Sequence, residues 1–315
     1  MQTETQCAIA VRGLEKRFNG RAVVQGLNLE VRAGEIFGLV GPDGAGKTTT
    51  LRMLAGILPA DAGEMELAGV DVVRHPERAK KFLSYMPQRF GLYEDLTVDE
   101  NIHFYAELFG VRAAERAVRG DQLLKAAGMQ EFRKRRAGQL SGGMKQKLGL
   151  VCALIHHPRV VLLVEPTTGV DPVSRRDFWR ILYELLAEGV AILLSTAYLD
   201  EAERCHRVAL LHEGRLLFSD APDALKKRMP EAIYSIESRD PRTVRILLEG
   251  QKGISGMVVH GDALRVVVGD AQLGLDALQA QLKQAGASVG LITQVEPTME
   301  DLFVNAVMAE GSHHG

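Results

Sequence analysis

The chain has 315 residues, 46% hydrophobic and 25% charged, the composition of an ordinary folded globular protein with one large domain or two. Its 38 basic and 40 acidic residues leave a formal charge of −2, which argues against a nucleic-acid binder held by a basic face, so an anionic ligand has to be caught locally. No stretch reaches the roughly 18 unbroken apolar residues a bilayer span needs, and Met1–Gln6 carries neither a basic run nor an apolar core, so the chain is expected to be cytoplasmic.

In chain order, Ala8 to Arg12 alternates as a strand does, Phe18 precedes the turn Asn19-Gly20, and Val23 to Val31 resumes the alternation as far as Ala33-Gly34. Phe18 admits two roles: stacking on an adenine ring, worth about 1–3 kcal/mol by analogy with base stacking, or simple core packing. Glu35 to Val40 reads as a short buried strand leading into Gly41-Pro42-Asp43-Gly44-Ala45-Gly46-Lys47-Thr48, which fits the phosphate-loop pattern G-x-x-x-x-G-K-[ST] at every fixed position. Leu51, Leu54 and Ala55 then fall at helical spacing, which supplies the strand, loop and helix context the pattern needs. The glycines keep side chains away so that backbone N–H groups across Gly41, Asp43, Gly44, Ala45 and Gly46 turn inward on an anion, and the helix opening adds its positive end. Lys47 is placed to neutralise β- and γ-phosphates, Thr48 to offer its hydroxyl to Mg²⁺, and Thr49 to bond the α-phosphate. These features together predict a nucleoside triphosphate site.

Pro59 to Gly63 is a turn and Glu64 to Leu67 a short strand; Pro76 to Lys81 reads as helix and Phe82 to Met86 as strand, with Gln88 just beyond. Gln88 could touch a metal-bound water or cap a loop. From Thr97 the pattern turns to helix after helix, at Val98 to Phe109, Arg112 to Ala127 and the charged segment Glu131 to Arg136, as an insertion into an α/β framework. The basic run Arg133 to Arg136 reads as a solvated helix face. Ser141-Gly142-Gly143 opens a helical run reaching Ile155, which is either a second anion-binding helix end or an ordinary N-cap with a flexible lead-in.

Val160 to Val164 is a continuous apolar run of the kind found in a central parallel strand, and Glu165 emerges at its carboxyl end, where a carboxylate could orient an attacking water. Thr167 to Pro172, containing Asp171, connects tightly to a helix over Val173 to Ala187, and Val190 to Leu194 is the next buried strand. Strands follow at Arg207 to Leu211 and Leu216 to Phe218, with a closing helix at Ala224 to Arg228 and a boundary at Pro230. The tail alternates strand and helix as a small βαββαβ-like module: Ile233 to Glu237, Arg242 to Leu248, Met257 to His260, Leu264 to Val268, Leu273 to Ala285 and Val289 to Val295, then a helix at Met299 to Ala309. His313 and His314 read as part of a frayed end. Cys7, Cys152 and Cys205 form no C-x-x-C pair, so neither a disulfide frame nor a zinc site is expected.

Taken together, the phosphate loop, Gln88, Leu140-Ser141-Gly142-Gly143 and Glu165-Pro166-Thr167 resemble, in family order, the ATP-binding subunits of ABC transporters over roughly the first two-thirds of the chain. The resemblance implies an α/β phosphate-loop NTPase cassette over residues 1–229, with a helical subdomain at about 97–158, and a small α+β domain over 230–315 for regulation or dimer contact. It implies ATP with Mg²⁺ as cofactors, Phe18 as the adenine-stacking aromatic, Glu165 as the catalytic glutamate, and Gln88 as the residue that senses the γ-phosphate and couples to a membrane subunit. Ser141, Gly142 and Gly143 look like the signature that closes over ATP held by a second cassette, in a homo- or heterodimer, and Asp171 like the aspartate of the loop passing between two sites. The implied partners are membrane permease subunits at the inner face of the cell membrane, with no nucleic acid. Phe90 to Thr97, Tyr198 to Glu203 and Glu296 to Phe303 resemble the drug-exporter branch, and the chain is similar to the first cassette of tandem multidrug exporters. Two positions depart from the family: its metal-orienting aspartate is here Val164, and its switch histidine is Ala197. The expectation is therefore a transport ATPase with a partly degenerate site, or alternatively a regulatory cassette that hydrolyses little and completes a partner's site.

Overall fold

The structure, a computed structural model, describes residues 7–229, 231–269 and 274–311. Met1–Gln6, Pro230, Leu273, His313 and His314, to which the sequence reading assigned roles, lie outside the described residues. The chain forms two compact units, one running through Glu201 and resuming over Cys205–Phe218, the other comprising Ala202–Arg204 and the chain from Ser219 onward. The division thus falls after Phe218 and not at 229, and the helix Pro222–Lys227 goes with the second unit.

The first unit is built on a six-stranded sheet in the order Arg215–Asp220, Arg207–His212, Ile36–Val40, Ala191–Thr196, Val160–Val164, Leu83–Met86. The apolar runs Ile36–Val40 and Val160–Val164 are buried at every residue, as sequences covered on both faces must be. Parallel register pairs Val40 with Thr196 and Val164 with Ser195. The carboxyl ends of three adjacent strands are therefore level, and the phosphate loop, Glu165 and Ala197 leave the sheet along one edge, where α/β proteins bind ligands. A second, antiparallel sheet, ordered Arg21–Arg32, Cys7–Phe18, Ala62–Leu67, Val70–Asp71, turns Ile9, Val11, Leu27 and Val31 onto the same core as Leu51 and Leu54 of the loop helix Lys47–Leu54.

The helical block contains Val98–Leu108, Ala113–Ala126 and Gly142–Leu154. Thr97 and Glu100 form a capping box that starts the first helix. The segment Glu131 to Arg136 is not a helix: it begins as a single 3₁₀ turn, Gln130–Phe132, and then runs beside the start of Val98–Leu108. The carbonyls of Arg133 and Arg135 accept from Asp99 and Val98, so they are not available for a helical ladder. Arg133 also pairs with Asp121 of the neighbouring helix at 2.8 Å, and Lys134, Arg135 and Arg136 are exposed, so the run is solvated as expected although it is not a helix.

The second unit has the order strand Ala232–Glu237, helix Pro241–Leu248, strands Ile254–His260 and Ala263–Val268, helix Leu275–Gln284, strand Ile292–Val295, helix Met299–Gly311. Its sheet is antiparallel, ordered Ile254–His260, Ala263–Val268, Ala232–Glu237, Ile292–Val295. Ile236, Leu264 and Val266 pack with Leu248, Leu278 and Leu282 of two helices to give the unit its own core. Arg265 pairs with the fully buried Asp301 at 2.7 Å.

Candidate nucleotide-binding site

The phosphate loop is shaped by backbone that leaves no room for a side chain at Gly41 or Gly46. Gly46 caps the helix Lys47–Leu54 at φ 98°, and a Cβ there would come within 2.5 Å of the Val23 carbonyl oxygen. A Cβ on Gly41 would lie 2.2 Å from the carbonyl oxygen of Leu211. The Gly46 carbonyl accepts from the backbone N–H and the hydroxyl of Thr50, at 2.9 and 3.0 Å, which fixes the first helical turn. Asp43 and Gly44 are exposed, Thr48 and Thr49 are half-buried, and Ala45 is buried.

Lys47 is buried and its ammonium donates to the carbonyls of Gly41 and Pro42 at 2.7 and 2.9 Å, curling back over the loop. Burial lowers its pKa, opposed by the carboxylates of Glu165 and Asp43. Phe18 is 44% exposed at the tip of a hairpin, paired with Arg21. Arg21 and Val23 of that hairpin line a cavity of about 350 Å³ with Gly44 and Glu213, so the hairpin borders the loop.

Across the sheet edge, Glu165 stands at φ 43°, an unusual conformation for a side chain of its size, with its N–H donating to the Ser195 carbonyl at 3.0 Å. Its carboxylate lies 3.9 Å from Lys47 and accepts from the Gln88 amide at 3.2 Å, so the structure gathers Lys47, Glu165 and Gln88 into one group. Gln88 is further tied by its backbone carbonyl, which accepts from Gln146.

Val164 is 4% exposed and packs in the apolar core, whereas Ala197 is exposed beyond the end of its strand. Directly across from Val164 the hydroxyl of Ser195 is fully buried and has no hydrogen-bond partner among the described residues. The register turns that hydroxyl to the face shared by Leu39 and Val164, and an acceptor at position 164 would meet it there. Thr48, Gln88 and Glu165 supply hard oxygen donors of the kind Mg²⁺ prefers, but the carboxylate expected beside them is replaced by hydrocarbon.

Ser141 caps the helix Gly142–Leu154, its hydroxyl accepting from the Met144 N–H at 3.3 Å; it and Gly142 are exposed. Gly143 is buried because a Cβ there would sit 2.4 Å from the Ser174 hydroxyl and 3.0 Å from an Asp171 oxygen. Asp171 itself caps the helix Pro172–Ala187 through the N–H groups of Val173 and Ser174, which holds its carboxyl below the usual range. Gly143 of the signature and Asp171 are thus brought together.

One feature has no counterpart among the sequence-derived site residues. Glu201, on the short helix Leu199–Ala202, is 1% exposed, and its carboxylate accepts from the hydroxyls of Thr167 and Thr196. No residue spacing signals this, because Thr167 is 34 residues away from Glu201 and follows a different strand.

Fold and site together define a phosphate-loop α/β protein for nucleoside triphosphates. A family profile described as ABC transporter matches residues 24–168. The chain is 41% identical to the probable multidrug ABC transporter ATP-binding protein YbhF of Escherichia coli (strain K12), over 96% of this chain but 53% of that one, and so spans about half the length of that relative. It is also 41% identical to Nod factor export ATP-binding protein I of Burkholderia lata, over 94% of this chain and 95% of that protein. Among solved structures, an ATP-binding subunit of an ABC transporter matches with TM-score 0.65 at 30% identity, covering 70% of this chain and 92% of that one. A dimeric bacterial ABC transporter cassette matches in fold, with TM-score 0.62 at 22% identity, over 68% and 98%. The chain belongs to the ATP-binding cassettes of ABC transporters.

Proposed function

We propose that this chain binds Mg-ATP at Gly41–Thr48 and works as one cassette of an exporter, pulling on a separate membrane permease at the inner face of the cell membrane. No helix among the described residues is long and apolar enough to cross a membrane, and one relative is named a multidrug transporter protein and another an export protein. Phe104, Leu108 and Phe109 on the helix Val98–Leu108 and its end, with Tyr93 on the segment after Gln88, expose apolar surface fit for a permease. Thr48 and Gln88 would hold the metal, which screens phosphate charge when bound. Phe18 stacks the adenine, Lys47 neutralises the phosphates, and Glu165 orients the attacking water.

The working unit pairs this cassette with a second one, so that Ser141, Gly142 and Gly143 close over nucleotide on the partner and Asp171 lies between the sites. The observation that carries the reading is an intact phosphate loop beside a strand end that lacks its polar groups at Val164 and Ala197. This cassette is therefore a tight binder and slow hydrolyser whose signature serves a more active partner. The second unit, which carries no phosphate-loop pattern, serves regulation or dimer contact. The test is steady-state ATPase of the isolated chain, expected to be slow; brisk hydrolysis abolished by Glu165→Gln would overturn the degenerate assignment. A regulatory cassette with no hydrolysis is the second reading, favoured if Val164→Asp with Ala197→His also fails to raise the rate.

A further inference from the structure

The geometry points to Glu201 as a positioning residue that holds the Glu165 turn and the Thr196–Tyr198 turn together as one body. This rests on the reading that Glu165 serves the phosphate loop. One carboxylate oxygen accepts from Thr167, two residues beyond Glu165; the other accepts from Thr196 at 2.7 Å, immediately before Ala197. The Thr196 hydroxyl in turn accepts from the Tyr198 N–H at 2.9 Å. Both threonines are 1% exposed, so water does not compete for these bonds. Arg175 completes the group: its Nε lies 4.0 Å from Glu201, its Nη1 3.2 Å from Asp200, and its guanidinium 5.0 Å over the Tyr198 ring. Arg175 stands on the helix that Asp171 caps, so the two connections that leave the sheet edge after Val160–Val164 and Ala191–Thr196 converge on one carboxylate.

A buried carboxylate is an expensive way to fill space, and an apolar residue of similar volume is often as stabilising or more so. What this one supplies is geometry. Glu165 sits in a left-handed conformation that persists only where its surroundings over-determine it. Its backbone is fixed on one side by Ser195 and on the other by the turn through Thr168, whose N–H donates to the Glu165 carbonyl at 3.2 Å. Glu201 ties that turn to the switch segment, so displacement of residues 196–198 reaches the carboxylate that faces Lys47 and Gln88.

The experiment is amide hydrogen exchange on the full chain with Glu201→Gln, paired with Thr167→Val and Thr167→Ser. In Glu201→Gln and Thr167→Val the amides of Glu165, Thr168 and Tyr198 are expected to exchange at least about tenfold faster together, while those of the phosphate loop and the ATP affinity stay within about twofold. Thr167→Ser, which keeps the hydroxyl, should exchange as the unaltered chain does. Unchanged exchange at Glu165 and Thr168 in Thr167→Val overturns the inference, even if Glu201→Gln fails to fold. In a Val164→Asp, Ala197→His background, Thr167→Val should lower kcat about tenfold at constant KM. If that background hydrolyses nothing, the reading of Glu165 as catalytic falls, while exchange still decides whether Glu201 positions it.

Discussion

The phosphate loop and the two turns beside it leave one sheet edge from neighbouring parallel strands, yet they differ in what they carry. The loop after Ile36–Val40 keeps the full phosphate-loop pattern, and its Gly41 and Gly46 are required by the carbonyls of Leu211 and Val23 whatever the ligand. The turns after Val160–Val164 and Ala191–Thr196 keep Glu165 but present a buried valine, an exposed alanine and a serine hydroxyl with no partner among the described residues. In the proposed function, charge neutralisation by Lys47 belongs to the first region and orientation of the metal's waters to the second, so that one could be lost while the other stays.

The largest effect that sharpens this contrast is expected from Lys47→Ala. Losing a buried charge-assisted contact to the phosphates should weaken ATP binding by about 100-fold, roughly 2.7 kcal/mol, in a fluorescence titration. Equal affinity in the variant would break the comparison on the loop's side. Gly46→Ala should cost roughly 2 kcal/mol of stability in denaturant unfolding, because φ 98° and the Val23 carbonyl both oppose a Cβ.

On the other side, Val164→Asp with Ala197→His is expected to raise steady-state ATPase at least about tenfold, roughly 1.4 kcal/mol of transition-state stabilisation, while leaving ATP affinity nearly unchanged. An affinity gain without a rate gain would show that the two regions are not separable. The smallest effect is the most local. Ser195→Ala removes a hydroxyl with no bond to lose and should leave stability unchanged or raise it by up to about 1 kcal/mol; in the Val164→Asp background the same change should lower it by about as much. A sign that does not reverse, measured by thermal unfolding, would mean that Ser195 and position 164 do not meet.

Much of this was legible in the residues because the signals are local. A continuous apolar run such as Val160–Val164 needs no distant partner to be read as a central strand, and the phosphate loop announces itself by spacing. The run Glu131 to Arg136 misleads for the opposite reason: its charges have helical character, but its carbonyls are claimed by Val98 and Asp99, some thirty residues earlier in the chain. The place where the second unit begins was equally hidden, since the helix Pro222–Lys227 has no composition that assigns it to one unit over the other.

By itself the sequence determined the nucleotide-binding class, the strand ends from which the site is built, and the two departures at Val164 and Ala197, since each depends on residue identity at fixed short spacing. Only the tertiary structure decided that Gln88 faces Glu165, that Gly143 abuts Asp171, that Ser195 opposite Val164 has no partner among the described residues, and that Glu201 joins Thr167 to Thr196. These are meetings between residues far apart in the chain, set by parallel register and by which side chains the sheet turns inward. Pairing of that kind is fixed when the strands assemble, and no local pattern records it.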